Sequence, residues 1–137
     1  RHTLFPYTTL FRSVEMPAER GHLYRALDFV VSPAYRHGVA TELMEAAATR
    51  VGALAYDSPA AQTVIEDTQT GRLVATGDTG GLVDAVRLAL DNTKLWGDYG
   101  IRARARASQR FSRHHVEDQI LRLYDTVLET RMASEAP

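Results

Sequence analysis

The sequence predicts an α/β fold built on a parallel sheet. Two observations indicate this: short apolar runs alternate with segments of helical periodicity, and one run passes through a tight loop directly into a helix. The apolar runs occupy residues 27–31, 52–56 and 72–75. Runs of this length, bounded by turn residues, are typical of buried strands. A strand, a helix and a second strand in this order form a βαβ unit, whose two strands lie parallel.

The central stretch of the chain is residues 32–48, which read Ser-Pro-Ala-Tyr-Arg-His-Gly-Val-Ala-Thr-Glu-Leu-Met-Glu-Ala-Ala-Ala. It follows the first predicted strand, turns at Pro33 and Gly38, and continues as a helix to about residue 50. Backbone N–H groups at such a helix start lack intrahelical partners, and the helix dipole favours negative charge there. The stretch therefore predicts a phosphate site that needs no basic side chain.

Local signals predict the next elements. Residues 17–25 favour a helix, with a proline at an allowed first-turn position. Ser58 is a good N-cap for a short helix over residues 60–65, because a proline follows it. Asp78 or Thr79 caps a further helix with one apolar face. That predicted face comprises Leu82, Val83, Val86, Ala89 and Leu90.

Two more helices are predicted towards the end of the chain. The segment 94–110 is basic, with arginines at Arg102, Arg104, Arg106 and Arg110. Arginines spaced by two and four do not line one helical face, which favours a solvated helix; a patch for a polyanion or a membrane surface is the open alternative. The last helix, 112–133, is expected to pack one apolar stripe onto the rest of the domain; the open alternative is that part of the stripe is left uncovered, because a further domain is missing. That stripe comprises Val116, Ile120, Leu123, Tyr124 and Val127.

The first thirteen residues stand apart. Residues 3–13 read Thr-Leu-Phe-Pro-Tyr-Thr-Thr-Leu-Phe-Arg-Ser, which matches the in-frame translation of a common sequencing adapter codon for codon. We therefore expect residues 1–13 to be a non-native adapter-derived segment, residues 14–133 to form a partial domain and residues 134–137 to be a tail. The native part is then a fragment of a longer gene product.

Composition indicates an ordinary globular domain. The chain is 45% hydrophobic and 24% charged, and its net charge of −1 predicts no nucleic acid partner. It contains no cysteine, so it has neither a disulfide framework nor a thiolate metal site. Adjacent His114 and His115 point about 100° apart on a helix, so they predict no metal site. We expect a cytoplasmic protein, with peripheral attachment at the inner face of the membrane as an open alternative.

Residues 32–48 resemble the donor loop of retaining nucleotide-sugar glycosyltransferases of the GT-B fold (group 1, family 4-like). That family carries Pro-Ser-Tyr-Arg-Glu-Gly-Phe-Gly, then a second glutamate eight residues after the first. Here the second glutamate is Glu45, and His37 replaces the first. The resemblance runs to about residue 128. It includes Ile65-Glu66-Asp67, Thr70-Gly71-Arg72-Leu73-Val74 and Arg110-Phe111-Ser112.

The resemblance implies a partial doubly wound, Rossmann-like sheet, the C-terminal half of a GT-B domain, followed by C-terminal helices. It assigns Glu45 to the ribose of the donor and places His37 at the transferred sugar, whereas Glu42 is interpreted as structural. The backbone N–H groups expected at the sugar and diphosphate are those of Gly38, Val39, Ala40 and Thr41. Thr68 departs from the family, which has a glycine there.

The resemblance further implies a hexosyltransferase that uses a nucleotide-diphosphate sugar and needs no metal or other cofactor. Its acceptor, which is a glycan, a lipid or a small molecule, would be chosen by an N-terminal domain upstream. No catalytic constellation is complete in this fragment, so we expect the fragment alone to be inactive. A nucleotide-sugar epimerase on the same scaffold and a non-catalytic doubly wound binding module remain the alternatives.

Overall fold

The structure is a computed structural model that describes residues 20–34 and 39–135. The predicted foreign segment 1–13 and the predicted site residues His37 and Gly38 lie outside the described residues. The described elements, in chain order, are α1 (Arg20–Arg25), β1 (Phe29–Ser32), α2 (Thr41–Ala48), β2 (Gly52–Tyr56), α3 (Pro59–Val64), β3 (Gly71–Val74), α4 (Thr79–Asp91), α5 (Thr93–Arg110) and α6 (Arg113–Glu135). Where the sequence predicts these elements, their observed ends lie within two residues of the predicted ones, except that residues 17–19 are not described.

The three strands form one parallel sheet in the order β1-β2-β3. Every residue of β2 is buried, because β2 lies between the other strands and helices cover both of its faces. Ala53 and Ala55 face one apolar cluster, formed with α2, α3 and the second half of α5. Leu54 and Tyr56 face the other, formed with α4 and the first half of α5. The predicted α/β class with a parallel sheet is confirmed.

Helix α5 contributes to both apolar clusters because it passes beneath the amino end of β2. Trp96 and Tyr99 in its first half belong to one cluster, and Ala103 in its second half belongs to the other. At the crossing point a methyl group on Gly100 would overlap the carbonyl oxygen of Arg50. The close approach of the two backbones at Gly100 therefore lets one helix cover both faces of the sheet.

The predicted caps are present at α3 and α4. Ser58 Oγ accepts a hydrogen bond from the Ala61 N–H at 3.2 Å, and Asp78 Oδ1 accepts one from the Gly81 N–H at 2.8 Å. Each cap gives a partner to an N–H group that the helix itself cannot pair. The two helices therefore begin where their local sequence predicts.

The predicted apolar face of α4 is partly wrong. The side that packs against the sheet and α5 consists of Leu82, Ala85, Val86 and Ala89. Val83 and Leu90 are instead 43% and 65% exposed. Each follows a packed residue by one position, which turns it about 100° around the helix axis. The helix buries one narrow stripe, and these two residues lie beyond its edge.

The apolar stripe of α6 does not pack onto the rest of the domain, and the alternative of an uncovered stripe is the one observed. Its predicted apolar stripe is between 41% and 65% exposed. Within the described chain α6 packs mainly on the neighbouring α5, so this part of the chain presents no second surface to cover the stripe. None of the described helices combines the length and the apolar character that crossing a membrane requires.

Three of the four arginines of the basic segment of α5 are exposed, in agreement with the favoured interpretation, and three of the four also contact other parts of the chain. Arg102 Nε donates to the carbonyl oxygen of Gln69, and Arg104 Nη1 donates to that of Ala48. Arg106 Nη1 lies 3.2 Å from Glu66 Oε2. Two of these partners lie in the loop between α3 and β3 and one at the end of α2, all distant in sequence, so only the docking of α5 brings the charges to them.

The Glu-Asp-Thr-Gln-Thr-Gly segment, residues 66–71, forms a tight turn that leads into β3. Thr70 Oγ1 accepts from the Glu66 N–H at 2.8 Å, and Asp67 Oδ1 accepts from the Leu73 N–H at 2.9 Å. Thr68 has φ 62°, in the left-handed region where glycine is favoured. The departure from glycine at this position therefore falls on a strained backbone conformation.

Candidate functional site

The carboxyl ends of all three strands meet at one edge of the sheet. Parallel strands end there at Ser32, Tyr56 and Val74. In open α/β sheets, ligands bind in the crevice outside the carboxyl ends of the strands. We call this side of the molecule the carboxyl edge. The end of β1 and the start of α2 both lie there.

Helix α2 begins at this edge without a side-chain cap. Its N-cap residue, Ala40, has no side chain that accepts a hydrogen bond from the first turn. In contrast, α3, α4 and α5 are capped by the side chains of Ser58, Asp78 and Asn92. An uncapped start leaves backbone N–H groups and the positive end of the dipole available to an anion.

Ser32 and Glu42 are joined across the loop between β1 and α2. Ser32 Oγ donates to Glu42 Oε1 at 2.8 Å, and Ser32 is only 6% exposed. Glu42 also lies in the first turn of α2, where a negative charge is favourable. The contact gives Glu42 the structural role that was predicted for it, with Ser32 as a partner that the sequence did not predict.

Glu45 lies one turn further along α2 and contacts a different part of the molecule. It is half-buried and lines a cavity of about 460 Å³ between α2 and α5. Arg104 and Ser108 of α5 line the same cavity, followed by Phe111 and Ser112. The fold thus brings the second glutamate of the donor loop beside the Arg-Phe-Ser segment, far away in sequence.

The Arg-Phe-Ser segment has a local role as well. Phe111 is half-buried against the apolar cluster of α2, α3 and α5. Ser112 Oγ accepts from the His115 N–H at 3.3 Å, at the start of α6. Glu45 therefore borders the junction at which α5 ends and α6 begins.

The other predicted donor contacts are only partly within the described residues. Val39 is 62% exposed, Ala40 is buried in the apolar core, and Thr41 is exposed at the first turn of α2. All three have backbones at the uncapped helix start. Their contact with a diphosphate stays a prediction, as do the roles of His37 and Gly38.

Asp57 makes two polar contacts at the carboxyl edge that the sequence did not predict. Asp57, directly after β2, accepts from Gln62 Nε2 at 2.7 Å. Its carbonyl oxygen also accepts from Thr76 Oγ1, after β3. Asp57 thereby joins the loops that follow two strands. Asp57 directly follows an apolar run in the sequence. Because residues that follow parallel strands lie at the carboxyl edge, this position could have predicted its place there.

The histidine pair of α6 is placed on the surface. His114 Nε2 lies 3.5 Å from Asp118 Oδ2, one turn further along the helix. Among the described residues no group of three or more histidine, aspartate or glutamate side chains is arranged to hold a metal ion. That the protein needs no metal or other cofactor stays a prediction.

Comparison with known proteins identifies the family. The family model described as "Glycosyl transferases group 1" matches residues 9–106, which is most of the chain. The chain belongs to this family. The match begins inside the segment predicted to be adapter-derived, and the origin of that segment stays a prediction.

Individual relatives agree with this membership in the glycosyl transferases group 1. The phosphatidyl-myo-inositol mannosyltransferase of Mycobacterium leprae (strain TN) is 38% identical over 85 residues, which are 62% of this chain and 22% of that protein. Sucrose-phosphate synthase from Thermosynechococcus elongatus aligns with a TM-score of 0.70 and 26% identity, over 79% of this chain and 27% of the synthase chain. Anabaena HepE in complex with UDP-glucose aligns with a TM-score of 0.68 and 23% identity, over 76% of this chain and 29% of the HepE chain.

These similarities confirm the predicted fold, a partial doubly wound sheet of the GT-B type with C-terminal helices. This chain spans less than a third of the length of each of these three proteins.

Proposed function

We propose that this chain supplies donor-binding residues of a nucleotide-sugar-dependent glycosyltransferase, with the diphosphate of the donor at the start of α2. The single observation that supports the placement is the uncapped start of α2 at the carboxyl edge, since α3, α4 and α5 all begin with side-chain caps. A diphosphate there would accept hydrogen bonds from backbone N–H groups at residues 38–41. Its negative charge would also interact favourably with the positive end of the α2 dipole.

Glu45 is proposed to hold the ribose of the nucleotide. An ionised carboxylate accepts hydrogen bonds from two vicinal hydroxyls at once, which suits a ribose diol. The cavity beside Glu45 has room for a polar group of this size. Glu42 is bonded to Ser32, whereas Glu45 borders the cavity between α2 and α5, so the two glutamates are assigned different tasks.

The chemistry proposed for the complete protein is transfer of a hexose with retention of configuration, through an oxocarbenium-like transition state. Negative charge grows on the leaving diphosphate in that step, so amide N–H groups fixed at the helix start stabilise the transition state more than the ground state. His37 takes the position of the sugar-binding glutamate. A neutral imidazole offers the sugar hydroxyls one donor and one acceptor, in place of a carboxylate.

Two relatives support the choice of donor. The relative from Mycobacterium leprae is named a mannosyltransferase, and mannose is a hexose. The structure of Anabaena HepE, which shares this fold, is that of a complex with UDP-glucose. The proposed acceptor is a glycan, a lipid or a small molecule. Of these, the name of the mycobacterial relative favours a phosphatidylinositol lipid. No specific observation favours the epimerase or the non-catalytic binding module.

The proposal is tested by titrating UDP-glucose and GDP-mannose separately into the isotope-labelled chain and following its backbone amide signals. We expect the signals of residues 39–41 to move with at least one donor. Glu45→Gln should weaken that binding about ten- to hundredfold, because a charge-assisted hydrogen bond contributes about 1.5–3 kcal/mol. Glu42→Gln is the matched control, three residues away on the same helix, and should change the affinity much less. Equal losses in the two variants would contradict the assignment of Glu45.

A further inference from the structure

An open cavity lies at the other end of α2, about 12 Å along the helix from the carboxyl edge, as eight residues at 1.5 Å each require. Its volume is about 560 Å³, within the range of small-molecule sites. The lining residues are Arg25, Ala48, Thr49, Arg50 and Arg104. Three of these five side chains carry a guanidinium group and none carries a carboxylate. We call this feature the arginine pocket.

Arg50 occupies the pocket in a left-handed backbone conformation, with φ 67°. The Arg50 N–H bonds to the Ala47 carbonyl at 3.2 Å and the Val51 N–H to the Ala46 carbonyl at 2.9 Å. This pair of bonds defines a helix end at which glycine is the usual residue, because glycine adopts positive φ without strain. Here the position carries a long cationic side chain despite the strain.

The other two arginines are oriented by backbone carbonyls. Arg25 Nε donates to the Gly21 carbonyl at 3.1 Å, and Arg104 Nη1 donates to the Ala48 carbonyl. Each bond uses one of the five N–H groups of a guanidinium and leaves others available for a ligand. Within the described part of the chain, the Arg50 side chain has neither a hydrogen bond nor an ion pair.

The charge of the pocket is not neutralised by the described residues. Arg72, Arg87 and Arg106 each lie within 4 Å of a carboxylate, whereas no described carboxylate forms an ion pair with Arg25, Arg50 or Arg104. The chain as a whole carries a net charge of −1, so the cluster is a local feature and not a consequence of a basic composition.

The negative end of the α2 dipole disfavours an anion here, but its terminal carbonyl oxygens already have donors, which reduces the effect. The Thr49 N–H and Oγ1 bond to the carbonyls of Glu45 and Ala46. Arg50 and Arg104 provide donors to the carbonyls of Ala47 and Ala48. The pocket therefore offers a ligand guanidinium groups rather than exposed acceptors.

We propose that the arginine pocket binds a compact phosphate anion with two or more negative charges, at the opposite end of α2 from the carboxyl edge. The pocket shares Ala48 and Arg104 with the cavity beside Glu45. Guanidinium groups form paired hydrogen bonds with phosphate oxygens, and three of them around one cavity suit a diphosphate or a phosphomonoester headgroup. The ligand would bring together α1, the end of α2 and α5. This proposal does not depend on the proposed function of the carboxyl edge.

The test uses pyrophosphate as the probe, titrated into the 137-residue chain and followed by the amide signals of residues 49–51. Arg50→Gly and Arg104→Gln should each weaken pyrophosphate binding at these residues by about threefold or more, the scale of exposed charge pairs. Arg87→Gln, an exposed arginine on α4, is the matched control and should leave the affinity unchanged.

Arg50→Gly separates loss of the site from loss of the fold, because glycine relieves the strain at φ 67°. We expect the midpoint of thermal unfolding to rise while pyrophosphate affinity falls. Phosphatidylcholine vesicles with and without phosphatidic acid distinguish a lipid headgroup from a free phosphate. Binding to the phosphatidic acid vesicles with the same variant pattern identifies the headgroup. Absence of binding to both probes, or an equal loss in Arg87→Gln, would overturn the proposal.

Discussion

Ser32 Oγ donates a 2.8 Å hydrogen bond to Glu42 Oε1, and this bond joins the last residue of β1 to the first turn of α2. The two residues bracket the loop that carries the predicted donor contacts. Because Ser32 is buried, the bond fixes the angle at which α2 leaves the sheet. The uncapped helix start is thereby held at the carboxyl edge.

Ser32→Ala is expected to lower the free energy of unfolding by about 1–3 kcal/mol, because it leaves a partly buried carboxylate without its partner. Denaturant unfolding measures the loss. Ser108→Ala, on the exposed side of α5, should change stability little. In a double-mutant cycle with Glu42→Ala, a coupling energy near zero would show that the bond does not stabilise the fold.

Thr68→Gly should raise the free energy of unfolding by about 1 kcal/mol, because a β-branched residue is strained at φ 62° and glycine is not. The same substitution at Thr63, inside α3, should lower stability, since glycine is unfavourable in a helix. Thermal or denaturant unfolding of both variants gives the comparison. A loss of stability in Thr68→Gly would rule out strain at this turn.

Gly100→Ala should lower the free energy of unfolding by about 1–3 kcal/mol, because the new methyl group would overlap the Arg50 carbonyl and force α5 away from β2. Gly97, on the same helix, has open space around its Cα. Gly97→Ala should therefore stabilise the chain by up to about 1 kcal/mol. Similar stabilities of the two variants would show that the helix crossing is not tightly packed.

The 137-residue chain alone is expected to release no nucleotide from UDP-glucose or GDP-mannose above the rate without enzyme. Positioning two substrates in a closed cleft accounts for about 7–11 kcal/mol of a barrier, and the described residues form only one side of such a cleft. Nucleotide release is measured directly with purified chain. Release that disappears in Glu45→Ala would instead show that this chain holds a working active site.

Local sequence was sufficient for the strands, the helices and the capped starts of α3 and α4. An apolar run such as residues 52–56 predicts a buried strand, and Ser58 before a proline predicts a helix start, because both depend on neighbouring residues alone. The motif of residues 32–48 likewise led to the family and to the loop at the carboxyl edge. These features needed no knowledge of distant contacts.

The tertiary structure alone decided which faces and charges find partners. Leu90 satisfies the helical period as well as Ala89 does, yet it is exposed because α4 docks through a narrow stripe. Arg106 reaches Glu66, and Glu45 borders Phe111, only because α5 crosses beneath β2 at Gly100. The exposed stripe of α6 and the arginine pocket arise in the same way. Periodicity specifies which residues share a face, whereas the positions of the other elements determine what that face meets.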